Sequence, residues 1–168
     1  YRDPIPLPED SSLWPTVDIF IPSYNEDPTL LETTLLATTQ IRYPRNKFKI
    51  YLLDDGGTEQ KRNDSDPDKA LAARQRHAIL QDLCERTGIH YLARKKNEYA
   101  KAGNINAALP STSGELILIL DADHVPTIDI LEQTVGWFAC DPKLFLVQTP
   151  HFFINPDPIE KNLGMFQR

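Results

Sequence analysis

Residues 116–124 read Leu-Ile-Leu-Ile-Leu-Asp-Ala-Asp-His, a short apolar run that ends in two acidic residues and a histidine. The run has the length of a buried strand. Similar runs recur along the 168-residue chain and alternate with longer segments of helical pattern. The predicted strands are residues 17–22, 48–53, 89–93, 115–120 and 144–149, and the predicted helices are residues 28–40, 67–87, 99–109 and 126–139. This alternation predicts an α/β fold with a mainly parallel sheet and helices on both faces.

The two ends of the chain depart from this pattern. Residues 1–16 contain four prolines and no periodicity, which predicts an extended lead-in or linker before a domain at residues 17–168. Residues 158–168 begin a new helical pattern and stop without a cap or a helix breaker. We therefore interpret the end of the sequence as the boundary of a fragment.

The composition, with 40% hydrophobic and 25% charged residues, is that of an ordinary soluble globular domain. The net charge of −6 argues against nucleic acid as the partner, because nucleic acid requires a basic face. Cys84 falls on the apolar face of a predicted helix, which predicts a small buried hydrophobic side chain. The two cysteines are isolated from each other, which suits a reducing cytosol. The chain nevertheless has a local basic cluster where an anionic ligand would bind: Arg94, Lys95, Lys96 and Lys101.

Asp121 and Asp123 follow the fourth predicted strand at a spacing that lets both side chains point the same way. Two carboxylates about 4 Å apart repel by roughly 4 kcal/mol at an effective dielectric near 20. A divalent cation removes that repulsion, and hard oxygen ligands suit Mg²⁺ or Mn²⁺ together with substrate phosphates. The pair therefore indicates a metal–diphosphate site, although aspartates of an ordinary turn or helix N-cap would have the same pattern.

Three further polar motifs follow the other predicted strands, and each has a plain alternative as a turn or a solvated side chain. After the first strand, Tyr24 could stack on a base while Ser23 and Glu26 bond to its edge. After the second, Asp54 and Asp55 precede two glycines that permit close approach of a ligand. After the third, Lys101 lies near a helix N-terminus and could hold phosphate.

The four motifs together are more specific than any one of them, because the carboxyl ends of parallel strands meet at one edge of the sheet. No Gly-x-Gly-x-x-Gly follows the first strand, which disfavours a nicotinamide or flavin fold, and there is no Walker A loop. Acidic strand ends and a lysine would therefore have to bind the nucleotide.

The motifs resemble those of family 2 of the inverting glycosyltransferases, and within it the bacterial cellulose synthases. The matching stretches are residues 17–26, 53–57, 100–104, 121–126 and 147–158. The resemblance implies a GT-A fold and transfer of glucose from UDP-glucose to the non-reducing end of a β-1,4-glucan, with inversion. It implies uridine binding by Tyr24, Glu26, Asp54 and Asp55, diphosphate binding by Lys101, and Mg²⁺ or Mn²⁺ binding by the catalytic pair Asp121 and Asp123. We add Ser23 and His124 to the predicted substrate-binding residues.

The resemblance also implies parts that this sequence does not contain. The Thr-Glu-Asp motif that supplies the general base and the Gln-x-x-Arg-Trp motif that binds the acceptor are absent, so we expect the chain to bind UDP without polymerising glucose. The whole protein would lie at the cytoplasmic face of the bacterial inner membrane, with a periplasmic partner subunit and a cyclic di-GMP-sensing domain. Tyr99 stands where cellulose synthases often have His.

Three alternatives remain open from the sequence. A chitin- or hyaluronan-type synthase of the same family would use similar donor motifs. The stretch at residues 121–125 also resembles the nucleophile motif of haloacid dehalogenase phosphatases, although in those enzymes the motif follows the first strand. A non-catalytic nucleotide-binding module is the third alternative.

Overall fold

The computed structural model describes residues 3–151, and these form a four-stranded parallel sheet with the strand order β3-β2-β1-β4. This confirms the predicted α/β class and its parallel sheet. The strands are β1 (Val17–Ser23), β2 (Phe48–Asp54), β3 (His90–Leu92) and β4 (Leu116–Ile119), and the helices are α1 (Pro28–Thr39), α2 (Glu59–Arg62), α3 (Pro67–Thr87), α4 (Ala100–Ala108) and α5 (Ile130–Cys140).

Local signals fix the ends of the two longest helices of the described chain. Helix α1 begins at Pro28 after Asp27, whose side chain accepts a hydrogen bond from Thr29 N–H. Helix α3 begins after Asp66, which caps it in the same way, and ends at Gly88 with a φ of 72°. That left-handed conformation costs glycine little, so the predicted C-cap is confirmed.

The core lies on both faces of the two central strands. On one face, Ile19, Ile21 and Leu52 belong to a large cluster with side chains from α1, α3 and α5. On the other, Phe20 and Leu53 belong to a smaller cluster beside α4. Each of these five side chains is fully buried, which contributes about 1.5–3 kcal/mol apiece relative to exposure. The strongest packing therefore surrounds the two strands that carry the first two polar motifs.

Cys84 belongs to the larger cluster, as the helical spacing predicts. It is 1% exposed, and burial raises the pKa of its thiol to about 12. The side chain therefore behaves as a small hydrophobe rather than as a nucleophile. Cys140, at the end of α5, is exposed.

The predicted fifth strand at residues 144–149 is wrong, because these residues form no strand in the structure. Phe145 is 93% exposed and Leu146 is 67% exposed, so the apolar pattern there has no sheet neighbour to pair with. Helix α5 also begins at Ile130 rather than at residue 126. The Ile128 carbonyl accepts a hydrogen bond from Arg42 N–H at 2.7 Å, which holds the preceding turn outside the helix.

The lead-in is extended apart from a short 3₁₀ turn at Ser11–Leu13, and it lies against the domain. Leu7 and Trp14 pack against the larger core cluster, and the Trp14 ring lies 5.2 Å from the Tyr43 ring. No helix within residues 3–151 is long and apolar enough to span a bilayer. The expected helical pattern at residues 158–168 and the matching stretch from residue 152 onward lie outside the described residues.

Candidate functional site

The loops after β1 and β2 meet at the carboxyl edge of the sheet. Ser23 and Asp54, the last residues of the two strands, are partners in the parallel register. The backbone continues this pairing, because Asp55 N–H donates to the Ser23 carbonyl at 2.8 Å. The structure therefore brings together the first two of the predicted motifs, which are separated by about thirty residues in the sequence.

The loop at residues 23–27, called the β1 loop below, is closed by its own carboxylate. Glu26 Oε2 accepts from the Ser23 hydroxyl at 2.9 Å and from Tyr24 N–H at 2.6 Å. Burial raises the pKa of Glu26, but these hydrogen bonds and the charge of Arg76 outweigh it and hold the pKa below its usual value. Glu26 is therefore ionised at neutral pH and keeps one carboxylate oxygen for a ligand.

The Tyr24 ring is available at the surface of this loop. It is 44% exposed, and the ammonium of Lys61 lies 3.6 Å from its centroid. A cation at this distance is attracted by the negative face of the ring. One face of Tyr24 is thus covered by Lys61, so a flat base would stack on the other face or displace the lysine.

Asp54 is completely buried and fully engaged with its surroundings. Oδ1 accepts from Gly56 N–H at 2.9 Å and from Arg76 Nε at 3.1 Å, and Oδ2 accepts from the Tyr91 hydroxyl at 2.8 Å. Burial and the charge of Asp54 raise the pKa of the Tyr91 phenol, so it stays protonated and donates. His77 Nδ1 lies 2.9 Å from the same hydroxyl, which assigns the proton to Nδ1 because the phenol proton is already used.

Arg76 was not predicted from the sequence, yet it connects three parts of the site. It donates to Asp54, to the Ser23 hydroxyl at 2.7 Å and to the Glu26 carbonyl at 2.6 Å. A signal was present, because Arg76 stands between Ala73 and Leu80 at the spacing of the buried stripe of α3. A charge on a buried stripe requires a partner.

Asp55 is held by a second arginine that the sequence placed only in a general basic cluster. Arg94 Nε and Nη2 donate to the two oxygens of Asp55 at 2.6 and 2.8 Å, a bidentate pair. The side chain of Asp55 is 4% exposed and that of Arg94 is 13% exposed. Both carboxylates of the Asp-Asp pair therefore organise the loops around them, and any contact with a ligand would use their remaining lone pairs.

Lys101 and the Asp-x-Asp motif meet in the structure. The Lys101 ammonium contacts Asp121 Oδ1. Asp121 Oδ2 and Asp123 Oδ1 each lie 3.7 Å from a different ring nitrogen of His124, so the imidazole stands between the two carboxylates. The hydrogen bond from Lys101 lowers the pKa of Asp121 against the opposing effect of burial, and the charges of Lys101, His124 and His151 add to the lowering.

These residues fit a divalent cation in charge, donor type and access. The side chains of Asp121 and Asp123 are 42% and 63% exposed, and their partners are a lysine and a histidine rather than an arginine fork. Within residues 3–151, no three His, Cys, Asp or Glu side chains converge to hold a metal on their own. The two carboxylates would thus supply part of a coordination shell that diphosphate oxygens complete, as is common for Mg²⁺.

The predicted basic cluster is divided between two places. Arg94, Lys95 and Lys96 line an open cavity of about 660 Å³ beside the first turns of α4, together with Tyr99. Lys101 does not line this cavity and faces Asp121 instead. Among the four cluster residues, Lys101 meets the Asp-x-Asp motif and Arg94 meets the Asp-Asp pair.

The chain is similar in sequence to known glycosyltransferases. The sequence profile of Glycosyl transferase family 2 matches residues 18–168. The chain is 46% identical over 162 residues to the UDP-forming cellulose synthase catalytic subunit of Xanthomonas axonopodis pv. citri, covering 96% of the chain and 20% of that protein. It is 42% identical over 166 residues to the same subunit of Pseudomonas fluorescens, covering 99% and 20%. The chain thus spans about a fifth of the length of these relatives.

Solved structures show the same fold. The mannosyltransferase PcManGT of Pyrobaculum calidifontis, in complex with GDP-Man and Mn²⁺, matches with a TM-score of 0.54 and 27% identity, covering 85% of this chain and 37% of that one. S. aureus TarS 1-349 in complex with UDP-GlcNAc matches with a TM-score of 0.54 and 17% identity, covering 74% and 31%. These neighbours confirm the predicted GT-A fold. The range matched by the glycosyltransferase family contains the Asp-x-Asp motif. The alternative of a haloacid dehalogenase phosphatase is therefore left without support.

Proposed function

The chain belongs to glycosyl transferase family 2, and on that premise we propose that it forms the donor-binding part of a cellulose synthase that uses UDP-glucose. The observation that carries the proposal is the meeting of Lys101 with Asp121, beside Asp123 and His124, at the carboxyl edge of the sheet. A lysine and two carboxylates at one point suit a metal-bound diphosphate, since Asp121 and Asp123 would hold a divalent cation that offsets the negative charge and Lys101 would bind the phosphate oxygens.

The β1 loop and the Asp-Asp pair would hold the uridine. Tyr24 offers an exposed ring face for the base, and Glu26 and Asp55 offer lone pairs to its N–H or to ribose hydroxyls. Asp54 is fully buried and already accepts from three donors, so its part is chiefly to fix the loop through Arg76. Ser23 has the same indirect part, because its hydroxyl already donates to Glu26 and accepts from Arg76.

The reaction proposed for the whole protein is a single in-line displacement. An acceptor 4-hydroxyl attacks the anomeric carbon of glucose, the bond to UDP breaks, and α configuration becomes β. Lys101 would leave Asp121 to neutralise the departing diphosphate, and His124 would donate to it from the adjacent position. Bound to Asp121 and Asp123, a divalent ion supplies Lewis-acid stabilisation of the same charge. The base that takes the acceptor proton is proposed to lie outside this chain.

The choice of UDP-glucose and of a β-1,4-glucan acceptor is supported by the names of the relatives, which are UDP-forming cellulose synthases. Binding of a UDP-N-acetylhexosamine, as in a chitin- or hyaluronan-type synthase, is the alternative. Location at the cytoplasmic face of the inner membrane, the periplasmic partner subunit and cyclic di-GMP sensing are part of the same proposal for the whole protein.

Calorimetric titration of the chain with UDP tests the proposal. We expect binding in Mg²⁺ or Mn²⁺ that weakens by about tenfold or more in Asp123→Ala, because a metal ligand is lost. Asp82→Ala removes an exposed carboxylate on α3 and is the matched control, with no change expected. GDP should bind more weakly than UDP, and UDP-glucose should compete better than UDP-N-acetylglucosamine. Equal UDP binding by Asp123→Ala and the unmodified chain would reject the site.

A further inference from the structure

Arg94 connects the Asp-Asp pair to the loop that carries Lys101. Its Nε and Nη2 hold both oxygens of Asp55, as described above. The remaining N–H groups of Arg94 donate to the loop at residues 97–100, called the α4 loop. Nη1 donates to the Glu98 carbonyl at 2.5 Å, and Nη2 is shared between Asn97 Oδ1 at 2.9 Å and the Ala100 carbonyl at 3.1 Å. One guanidinium thus joins the end of β2 to the residue that precedes Lys101.

The α4 loop needs hydrogen bonds from outside the loop because its backbone is strained. Tyr99 and Ala100 have φ values of 58° and 45°, and both carry a Cβ that disfavours the left-handed region. The N-cap position of α4, Tyr99, makes no side-chain capping hydrogen bond. Gly103 lets the loop lie close against α4, because a Cβ at this position would overlap the Glu98 carbonyl. The bonds from Arg94 to two carbonyls therefore stabilise a conformation that the sequence of the loop does not favour.

The direction of the Lys101 side chain follows from this conformation. Lys101 is the second residue of α4, so the turn at Tyr99 and Ala100 sets the rotation of the helix start and points the ammonium at Asp121. We propose that Arg94 is a positioning residue that holds Lys101 beside Asp121, in the place where the donor diphosphate binds. This inference rests on the proposed function, which gives Lys101 its diphosphate.

The test compares uridine with UDP at one fixed Mg²⁺ concentration. The ratio of the two dissociation constants, called the diphosphate gain, separates the contribution of the diphosphate contacts, Lys101 among them, from that of the uridine contacts. Arg94→Lys keeps the positive charge beside Asp55 but loses the fork to the carbonyls of the α4 loop. We expect the diphosphate gain to fall by about tenfold in Arg94→Lys, comparable to losing one charge-assisted hydrogen bond. Arg86→Lys, the same exchange at an exposed arginine of α3 that pairs with Asp82, is the matched control and should leave the gain unchanged.

A double-mutant cycle with Lys101→Ala separates positioning from general damage to the fold. If Arg94 acts through Lys101, adding Arg94→Lys to Lys101→Ala should change the diphosphate gain by less than about twofold, because the shared effect is already lost. A further tenfold fall in the double variant would overturn the inference, as would an unchanged gain in Arg94→Lys alone. If Arg94→Lys does not fold, Gly103→Ala replaces it in the cycle, because a Cβ at position 103 would overlap the Glu98 carbonyl and crowd Arg94 Nη1.

The same measurements distinguish a failure of the proposed function from a failure of the positioning role of Arg94. If Lys101→Ala itself leaves the diphosphate gain unchanged, then the diphosphate role of Lys101 in the proposed function is wrong, and the inference falls with it. If Lys101→Ala lowers the gain while Arg94→Lys and Gly103→Ala do not, the proposed function stands and only the positioning role is rejected.

Discussion

Arg76, in the middle of α3, forms an ion pair with Asp54 at the end of β2, with Nε 3.1 Å from Oδ1. The Asp54 side chain is fully buried and that of Arg76 is 14% exposed. Two residues 22 positions apart thus place a compensated charge pair directly beneath the β1 loop. Because the same guanidinium holds Ser23 and the Glu26 carbonyl, the helix and the loop are stabilised as one unit.

We predict that Arg76→Met lowers the free energy of unfolding by about 3–5 kcal/mol, because it leaves the buried Asp54 carboxylate without an opposite charge. Adding Asp54→Asn should recover part of this loss, since the uncompensated charge is then removed. Urea unfolding followed by circular dichroism measures both. Arg86→Met breaks an exposed pair with Asp82 and should change stability by less than about 1 kcal/mol. Equal effects of Arg76→Met and Arg86→Met would contradict the buried pair.

The two cysteines should differ sharply in reactivity. Burial raises the pKa of the Cys84 thiol to about 12, whereas Cys140 is exposed. We expect one thiol to react rapidly with a disulfide reagent at pH 8 and the second only after urea is added. Cys140→Ser, which removes the exposed thiol, should abolish the rapid phase. A rapid reaction that persists in Cys140→Ser would show that Cys84 is not packed in the core.

The contact between Lys101 and Asp121 should be visible in the titration of the carboxylate. The hydrogen bond from Lys101 is the main cause that lowers the pKa of Asp121, so Lys101→Met should raise this pKa toward the ordinary value. Because the pKa is depressed in the folded chain, the contribution of this contact to stability is present above the unfolded pKa and disappears as the pH falls through the folded one. Carbon-detected NMR of the Asp121 carboxyl measures the shift, with Lys95→Met as the control. An unchanged titration in Lys101→Met would show that the contact does not form in solution.

Much of the fold could be predicted because its elements carry local signals. Helix α3 was predicted with the bounds the structure has, since Pro67 begins it and Gly88 ends it. The strands β1 and β2 are continuous buried runs that have few alternatives. Residues 144–149 have an apolar strand pattern too, but a pattern cannot supply the neighbouring strand that would pair with it.

The sequence predicted which polar residues lie at the carboxyl edge of the sheet, but it did not predict which of their side chains contact each other. The structure brings Lys101 to Asp121 and Ser23 to Asp54, in agreement with the expectation of one shared edge. The spacing of α3 marks Arg76 as a buried charge, but no periodicity reveals that Arg76 and Arg94 reach Asp54 and Asp55 over 22 and 39 positions. The roles of these residues toward a ligand remain predictions.

The central claim is that Asp121 and Asp123 bind a divalent ion together with a diphosphate rather than alone. Titration of Mn²⁺ followed by electron paramagnetic resonance, with and without saturating UDP, tests it most directly. We predict weak Mn²⁺ binding by the free chain, at least about tenfold tighter binding when UDP is present, and loss of this coupling in Asp121→Asn. Mn²⁺ affinity that is the same with and without UDP, or coupling that survives Asp121→Asn, would contradict the account.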